Sequence, residues 1–192
     1  MTRIIAGSAG GRTLVVPRGD ATRPTSDRTR EALFGSLDAR GLIDGLRVLD
    51  LFCGSGALGL EAMSRGATEV ILVDSGRPAV DAARQNVSTL KFPGASVVMS
   101  PVQKFLDGRA SAPVGLVFAD PPYPLTEDEL ETLLASLATN GWLAEEATVV
   151  VERSRRSPEP RWPTGLHREA HRRYGDTSVW QAVWDPDPAA SA

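Results

Sequence analysis

Val48-Leu49-Asp50-Leu51-Phe52-Cys53-Gly54-Ser55-Gly56-Ala57-Leu58-Gly59 is the stretch that decides the fold. An apolar run enters a glycine turn, and a helix-forming run leaves it. A turn this tight needs residues that tolerate positive φ, and a ligand can approach the backbone closely only where side chains are missing. Gly54 to Gly59 matches the pattern G-x-G-x-x-G. Twenty residues after Gly54, Asp74 closes a second apolar run. A carboxylate there can accept both hydroxyls of a ribose. Strand, glycine loop, helix and acid in register form a nucleotide-cofactor signal. Taken alone it fits NAD as well as S-adenosylmethionine.

Outward from this loop the pattern repeats. Apolar runs at 47–52, 69–74, 95–100, 115–119 and 147–152 predict strands, and 57–65, 78–90, 102–107 and 126–139 predict helices. Near-continuous apolar strands alternating with helices predict a parallel sheet covered on both faces. Upstream, 3–6 and 12–16 predict a hairpin around the turn-rich Gly7-Ser8-Ala9-Gly10-Gly11. Thr25 or Ser26 can cap a helix from about Asp27 to Ala39, with Ala32, Leu33 and Leu37 at helical spacing and Gly41 past its end. Beyond Glu152 an Arg/Pro loop covers 153–163. The runs 166–174 and 177–184, separated by Gly175-Asp176, then predict a closing antiparallel pair. The expected architecture is an α/β Rossmann-like domain over 25–184, preceded by a hairpin module over 1–24. Residues 185–192 carry no core and are expected to be disordered.

Composition narrows the class. Hydrophobic residues make up 42% and charged residues 23% of the 192 positions, which excludes a disordered chain, a collagen-like chain and a disulfide scaffold. Cys53 is the only cysteine, so neither an intramolecular disulfide nor a four-thiolate zinc site can form. No run approaches the roughly 18–20 apolar residues of a membrane span, and the start of the chain has no apolar signal region. A cytoplasmic setting is the default expectation. The net charge of −3 hides two basic segments, 1–30 and 153–173, flanking an acidic body. The basic residues are almost all arginine, nineteen against two lysines. A guanidinium offers a planar fork of donors suited to phosphate. The same segments also fit an ordinary solvated surface. Read as a nucleic-acid footprint, they nominate Arg3, Arg12, Arg18, Arg28, Arg153, Arg155, Arg156, Arg172 and Arg173.

Two further features favour S-adenosylmethionine over NAD. Asp50 lies four residues before Gly54, just inside the strand end. A carboxylate there repels a pyrophosphate but attracts a methionine ammonium, directly or through water. The second feature is Leu116-Val117-Phe118-Ala119-Asp120-Pro121-Pro122-Tyr123. The prolines fix φ and remove two amide donors, so the carbonyls around them project with little freedom. The Asp120 carboxylate and the Pro121 carbonyl can accept the two N–H bonds of an exocyclic amine. Tyr123 can stack on the base that carries it.

The order of glycine loop, ribose acid and Asp-Pro-Pro-Tyr resembles the class I S-adenosylmethionine-dependent methyltransferases that modify exocyclic amino groups. The stretch Arg23-Pro24-Thr25-Ser26-Asp27-Arg28-Thr29-Arg30-Glu31-Ala32-Leu33-Phe34, together with Arg173-Tyr174-Gly175-Asp176-Thr177, narrows the likeness. The chain resembles the bacterial small-subunit ribosomal RNA guanine-N2 methyltransferases of the RsmD family, over about residues 1–184. The resemblance implies methyl transfer to N2 of a guanine in 16S ribosomal RNA, with the base extruded to reach the pocket. It implies a site of Asp120, Pro121, Pro122 and Tyr123, with Asp120 orienting the amine and able to take the surplus proton. It also implies a cofactor pocket of Asp50, Gly54, Gly56 and Asp74 with Arg23 and Thr25. Ser100 and Val102 stand where such folds hold the adenine edge. The small ribosomal subunit or its RNA is the expected partner, and the protein is expected to act as a monomer. Asp-Pro-Pro-Tyr is shared with adenine-N6 methyltransferases, so that chemistry is the alternative.

Other features carry less. Cys53 reads as a small buried residue, since no basic partner is near it in sequence. His167-Arg168-Glu169-Ala170-His171 matches no zinc-helix pattern, and a strand is expected there. No metal site is expected. Trp142, Trp162, Trp180 and Trp184 read as core or rim aromatics, with Trp162 singled out for RNA stacking.

Overall fold

A computed structural model describes residues 2–17 and 27–186. The apolar runs form β1 (Arg47–Leu51), β2 (Glu69–Asp74), β3 (Ala95–Met99), β4 (Val114–Ala119), β5 (Leu143–Ser154), β6 (Leu166–Tyr174) and β7 (Thr177–Trp184). The helices are α1 (Asp27–Ala39), α2 (Ala57–Ser64), α3 (Arg77–Leu90), α4 (Val102–Leu106) and α5 (Glu127–Thr139). The strands join in one sheet of order β3-β2-β1-β4-β5-β7-β6. The pairs from β3 to β5 are parallel, and β7 pairs antiparallel with both β5 and β6. The strand order reverses between β1 and β4. This is the switch point at which an open α/β sheet leaves a crevice.

Alternation along each strand divides the core into two layers. Val48, Val70, Leu72, Leu116, Phe118 and Val150 pack with α1, α2 and α3 on one face. Leu49, Leu51, Val73, Val117, Val149 and Val151 pack with α4 and α5 on the other. Ile4 and Leu14 of the N-terminal segment are buried in the first layer, beside Leu33 and Phe34 of α1.

Three local expectations need correction. The hairpin over 3–6 and 12–16 pairs more narrowly than expected, through one antiparallel bridge of Arg3 with Thr13, the Ile4 amide donating to the Arg12 carbonyl at 2.9 Å and the Leu14 amide to the Thr2 carbonyl at 2.8 Å. Side chains add to this hold. The Glu61 carboxylate, fully buried on α2, accepts from the amides of Ile5 at 2.6 Å and Ala6 at 3.1 Å. Strand β5 begins at Leu143 rather than at 147. The acidic Glu145-Glu146 reads as loop in sequence. The strand absorbs it through an irregularity opposite Val114–Leu116, with Glu146 at φ 60°. Trp162 does not stand free for stacking, because it packs partly buried against the second layer and donates to Glu159 at 3.1 Å. The cap at Thr25 or Ser26 lies outside the described residues, as does the tail from 187 onward.

Candidate active site

The glycine loop leaves β1 at the switch point. Gly54 and Gly56 adopt φ +55° and +81°, conformations that L side chains rarely take. A Cβ on Gly54 would meet nothing within 4 Å, so the outer surface of the loop is open. Gly59 has the opposite reason to lack a side chain. Its Cβ would lie 2.4 Å from Leu72 and 2.7 Å from Val70, so the missing methyl lets α2 sit against β2.

Two carboxylates bracket this loop. Asp74 accepts from the Gly54 amide at 2.9 Å with one oxygen and from the Gly76 amide at 2.8 Å with the other. It therefore shapes the loop, and each oxygen keeps a lone pair for a further donor. Asp50 is 1% exposed and accepts from the Gly59 amide at 2.8 Å. Burial pushes its carboxyl up to about 7, and the charge of Asp74 adds to the rise, against the hydrogen bond from Gly59.

Asp120 follows β4, which runs beside β1 with Ala119 opposite Leu51. Ala119 also lies opposite Val151 of β5, so Asp120 and Glu152 leave neighbouring strands at the same level. Asp50, Asp120 and Glu152 share the strand parity of Phe118 and Val150 and project to the same sheet face. Burial holds the Asp120 carboxyl well above the usual carboxylate range, and the charges of Glu152 and Asp50 raise it further. After it, Pro121 is buried and the Leu125 amide closes a turn on the Pro122 carbonyl at 3.0 Å. Tyr123 stands 65% exposed, with its ring free to meet a planar ligand.

The acidic crevice tests the two cofactor readings. The carboxylates of Asp50, Asp74 and Asp120 gathered at this strand edge oppose a dinucleotide's pyrophosphate and favour a cationic ligand. A sulfonium with an α-ammonium fits the donor set. Ser100 sits at the rim, its hydroxyl bonded to the Pro101 carbonyl at 3.0 Å. Val102 is buried in the second layer with Leu51, Val73 and Leu106. Arg23 and Thr25 lie outside the described residues.

The arginines divide. Arg3, Arg12, Arg28, Arg155, Arg156, Arg172 and Arg173 are exposed. Arg3 approaches Asp27 at 3.5 Å and Arg12 reaches the Thr89 carbonyl at 3.3 Å. Arg153 departs from the expected surface cation. It is 8% exposed, donates to the Leu125 carbonyl at 3.0 Å and pairs with Glu127. Arg18 lies outside the described residues. Among the described residues no cluster of His, Cys, Asp and Glu is arranged to hold a metal ion. His167 and His171 sit on strand β6, where His171 stacks on Trp180 at 3.6 Å. Cys53 is buried, and desolvation together with Asp50 and Asp74 holds its thiol well above the ordinary range.

Sequence reasoning missed several supporting residues. Asn86, buried on α3, donates to the Ser55 carbonyl of the glycine loop at 2.9 Å. It also exchanges two hydrogen bonds with the Val15 backbone, at 2.8 and 2.9 Å. Thus the N-terminal segment and the cofactor loop share one side chain. An inward-facing amide on an amphipathic helix is the signal that could have marked it.

A sheet of this order with an acidic, glycine-walled switch point belongs to a class I S-adenosylmethionine-dependent methyltransferase, and this chain is an enzyme of that class. A family model described as "Conserved hypothetical protein 95" matches residues 2–183. Ribosomal RNA small subunit methyltransferase D of Escherichia coli (strain K12) is 43% identical over 169 residues, covering 87% of this chain and 83% of that protein. The protein of the same name from Haemophilus influenzae is 35% identical, over 81% and 80% of the two chains. A solved structure described as "Putative methyltransferase yhhF from Escherichia coli" superposes with a TM-score of 0.87 at 35% identity, covering 97% of this chain and 99% of that one. The chain belongs to the ribosomal RNA small subunit methyltransferase D family. No helix among the described residues is long and apolar enough to cross a membrane.

Proposed function

We propose that this enzyme methylates the exocyclic N2 of a guanine in small-subunit (16S) ribosomal RNA. It acts in the cytoplasm as a monomer, on the RNA or on the small subunit containing it. The observation that carries the reading is the register of β1 with β4. It sets the Asp50 carboxylate and the Asp120 turn side by side at one sheet edge. A cofactor crevice and an amine-gripping turn are then neighbours.

S-adenosylmethionine, when bound, supplies a methyl group on a cationic sulfur. Asp50 receives its ammonium, Asp74 its ribose hydroxyls, and the open face of Gly54 its backbone-facing side, while Gly56 completes the turn of that loop. Ser100 serves the adenine edge. The family resemblance assigns Arg23 and Thr25, which lie outside the described residues, to the same pocket. Asp120 and the Pro121 carbonyl accept the two N–H bonds of the amine, and Pro122 keeps that turn rigid. Tyr123 stacks on the extruded base. A cation in the crevice favours the ionised form of Asp120, the form that accepts hydrogen bonds. The same buried position suits Asp120 to hold the proton that the amine sheds. The exposed Arg3, Arg12, Arg28, Arg172 and Arg173 serve as contacts to the RNA backbone.

Asp120→Ala should abolish methyl incorporation into small-subunit RNA while S-adenosylmethionine still binds. Mass mapping of RNA from a strain lacking the protein should reveal one unmethylated guanine, restored by the purified wild-type chain. Full activity in Asp120→Ala, or restoration at an adenine, would exclude this reading.

A further inference from the structure

Beside the Tyr123 ring lies a hollow of about 250 Å³, lined by Tyr123, Ser154, Arg155, Arg156 and Asp176. It has room for a phosphate and several waters at roughly 30 Å³ each. Its walls come from the end of β5 and from the turn joining β6 to β7. The two are tied together, because the Arg155 amide donates to the Asp176 carbonyl at 2.8 Å. The Ser154 hydroxyl accepts from the Arg156 amide at 3.3 Å, and the Ser157 amide donates to the Ser154 carbonyl at 3.0 Å. Backbone bonds thus set the two guanidinium stems beside the aromatic ring before any ligand arrives.

A base stacked on Tyr123 brings its own backbone with it. Extrusion swings the nucleotide about its flanking phosphodiesters, so a phosphate must lie within one nucleotide's reach of the ring. Guanidinium forks match phosphate oxygens in shape and charge.

We propose that this hollow seats the phosphodiester adjoining the extruded guanine, with Arg155 and Arg156 as its partners. The inference rests on the RNA-methylation reading above and gives that site its backbone anchor.

Steady-state methyl transfer to small-subunit RNA from a strain lacking the protein tests it. Replacing both arginines (Arg155→Ala with Arg156→Ala) should raise the KM for RNA at least about tenfold and leave kcat within about twofold. The slope of log affinity against log salt should flatten by about one for each phosphate no longer neutralised. S-adenosylmethionine affinity should not change. Arg84→Ala removes an exposed charge in the middle of α3 and serves as the reference. The seat is excluded if the double variant matches Arg84→Ala in KM and salt slope. Should the wild-type chain transfer no methyl to this RNA, the functional reading has failed rather than the hollow. Filter retention of the same RNA then decides the hollow alone, and retention unchanged by the double substitution overturns it.

Discussion

Arg153, near the end of β5, donates to the Leu125 carbonyl at 3.0 Å and pairs its guanidinium with Glu127 at the start of α5. The strand beside β4 therefore holds the far end of the turn that begins at Asp120. Two anchors define that turn: the β4 ladder before it and this clamp after it. A buried cation without its partners is costly, so the pair stands or falls together.

Removing the clamp should loosen the turn without touching the cofactor loop. Arg153→Ala should lower kcat for methyl transfer by about tenfold or more, since misplacement of reacting groups by about 1 Å can cost 100-fold. Thermal unfolding should show a loss of about 1.5–3 kcal/mol, the usual range for hydrogen bonds to charged groups. Calorimetric titration should find S-adenosylmethionine affinity unchanged.

With Asp50 in the cofactor site, as proposed, binding should depend on pH. Its carboxyl titrates at about 7 in the folded protein against 3.8 when unperturbed. Without a ligand, the folded state binds more protons than the unfolded one between these values. Stability should then fall as pH rises through that window. Cofactor affinity should do the reverse and strengthen as pH rises through about 7, because the ionised form attracts the ammonium. Asp50→Asn should flatten both dependences and weaken binding. Calorimetric titration and thermal melts across the pH range measure both, and a pH-independent wild-type affinity would remove Asp50 from the cofactor site.

Gly59→Ala tests packing rather than loop conformation. The added methyl would meet the side chains of Leu72 at 2.4 Å and Val70 at 2.7 Å. Overpacking of this kind costs about 1–3 kcal/mol. The helix should shift outward, carrying the Gly59 amide away from Asp50. Reduced melting temperature together with weaker cofactor binding is the expected pair of results.

Glu61 tests how the N-terminal segment is held. It accepts from Ile5, Ala6 and the Arg65 guanidinium, the last at 2.7 Å. Glu61→Ala leaves buried donors unsatisfied, at about 1–3 kcal/mol. Hydrogen exchange should accelerate across residues 4–14 while the amides of β1 and β4 stay protected.

Much of this enzyme was legible along the chain because its informative elements are local. The glycine turn, the Asp-Pro-Pro-Tyr element and the alternation of apolar runs with helices each follow from residues within one turn or strand of one another. Their backbone restrictions act at short range, so the parallel order and the two halves of the site could be read directly. The acid-rich start of β5 was not legible, because its pairing depends on an irregularity opposite another strand.

The sequence by itself determined the class of fold, the glycine loop of the crevice and the Asp-Pro-Pro-Tyr turn beside it. Only the tertiary structure decided what the charged and polar residues do. Arg153 reads as a surface cation but is buried against Glu127, whereas Arg155, two residues on, is exposed. Glu61 and Asn86 look like ordinary helix residues, yet they tie the N-terminal segment to α2 and to the glycine loop. The physical reason is range. Conformational preference is written into neighbouring residues, whereas burial and pairing of a polar group depend on partners that folding brings from far along the chain.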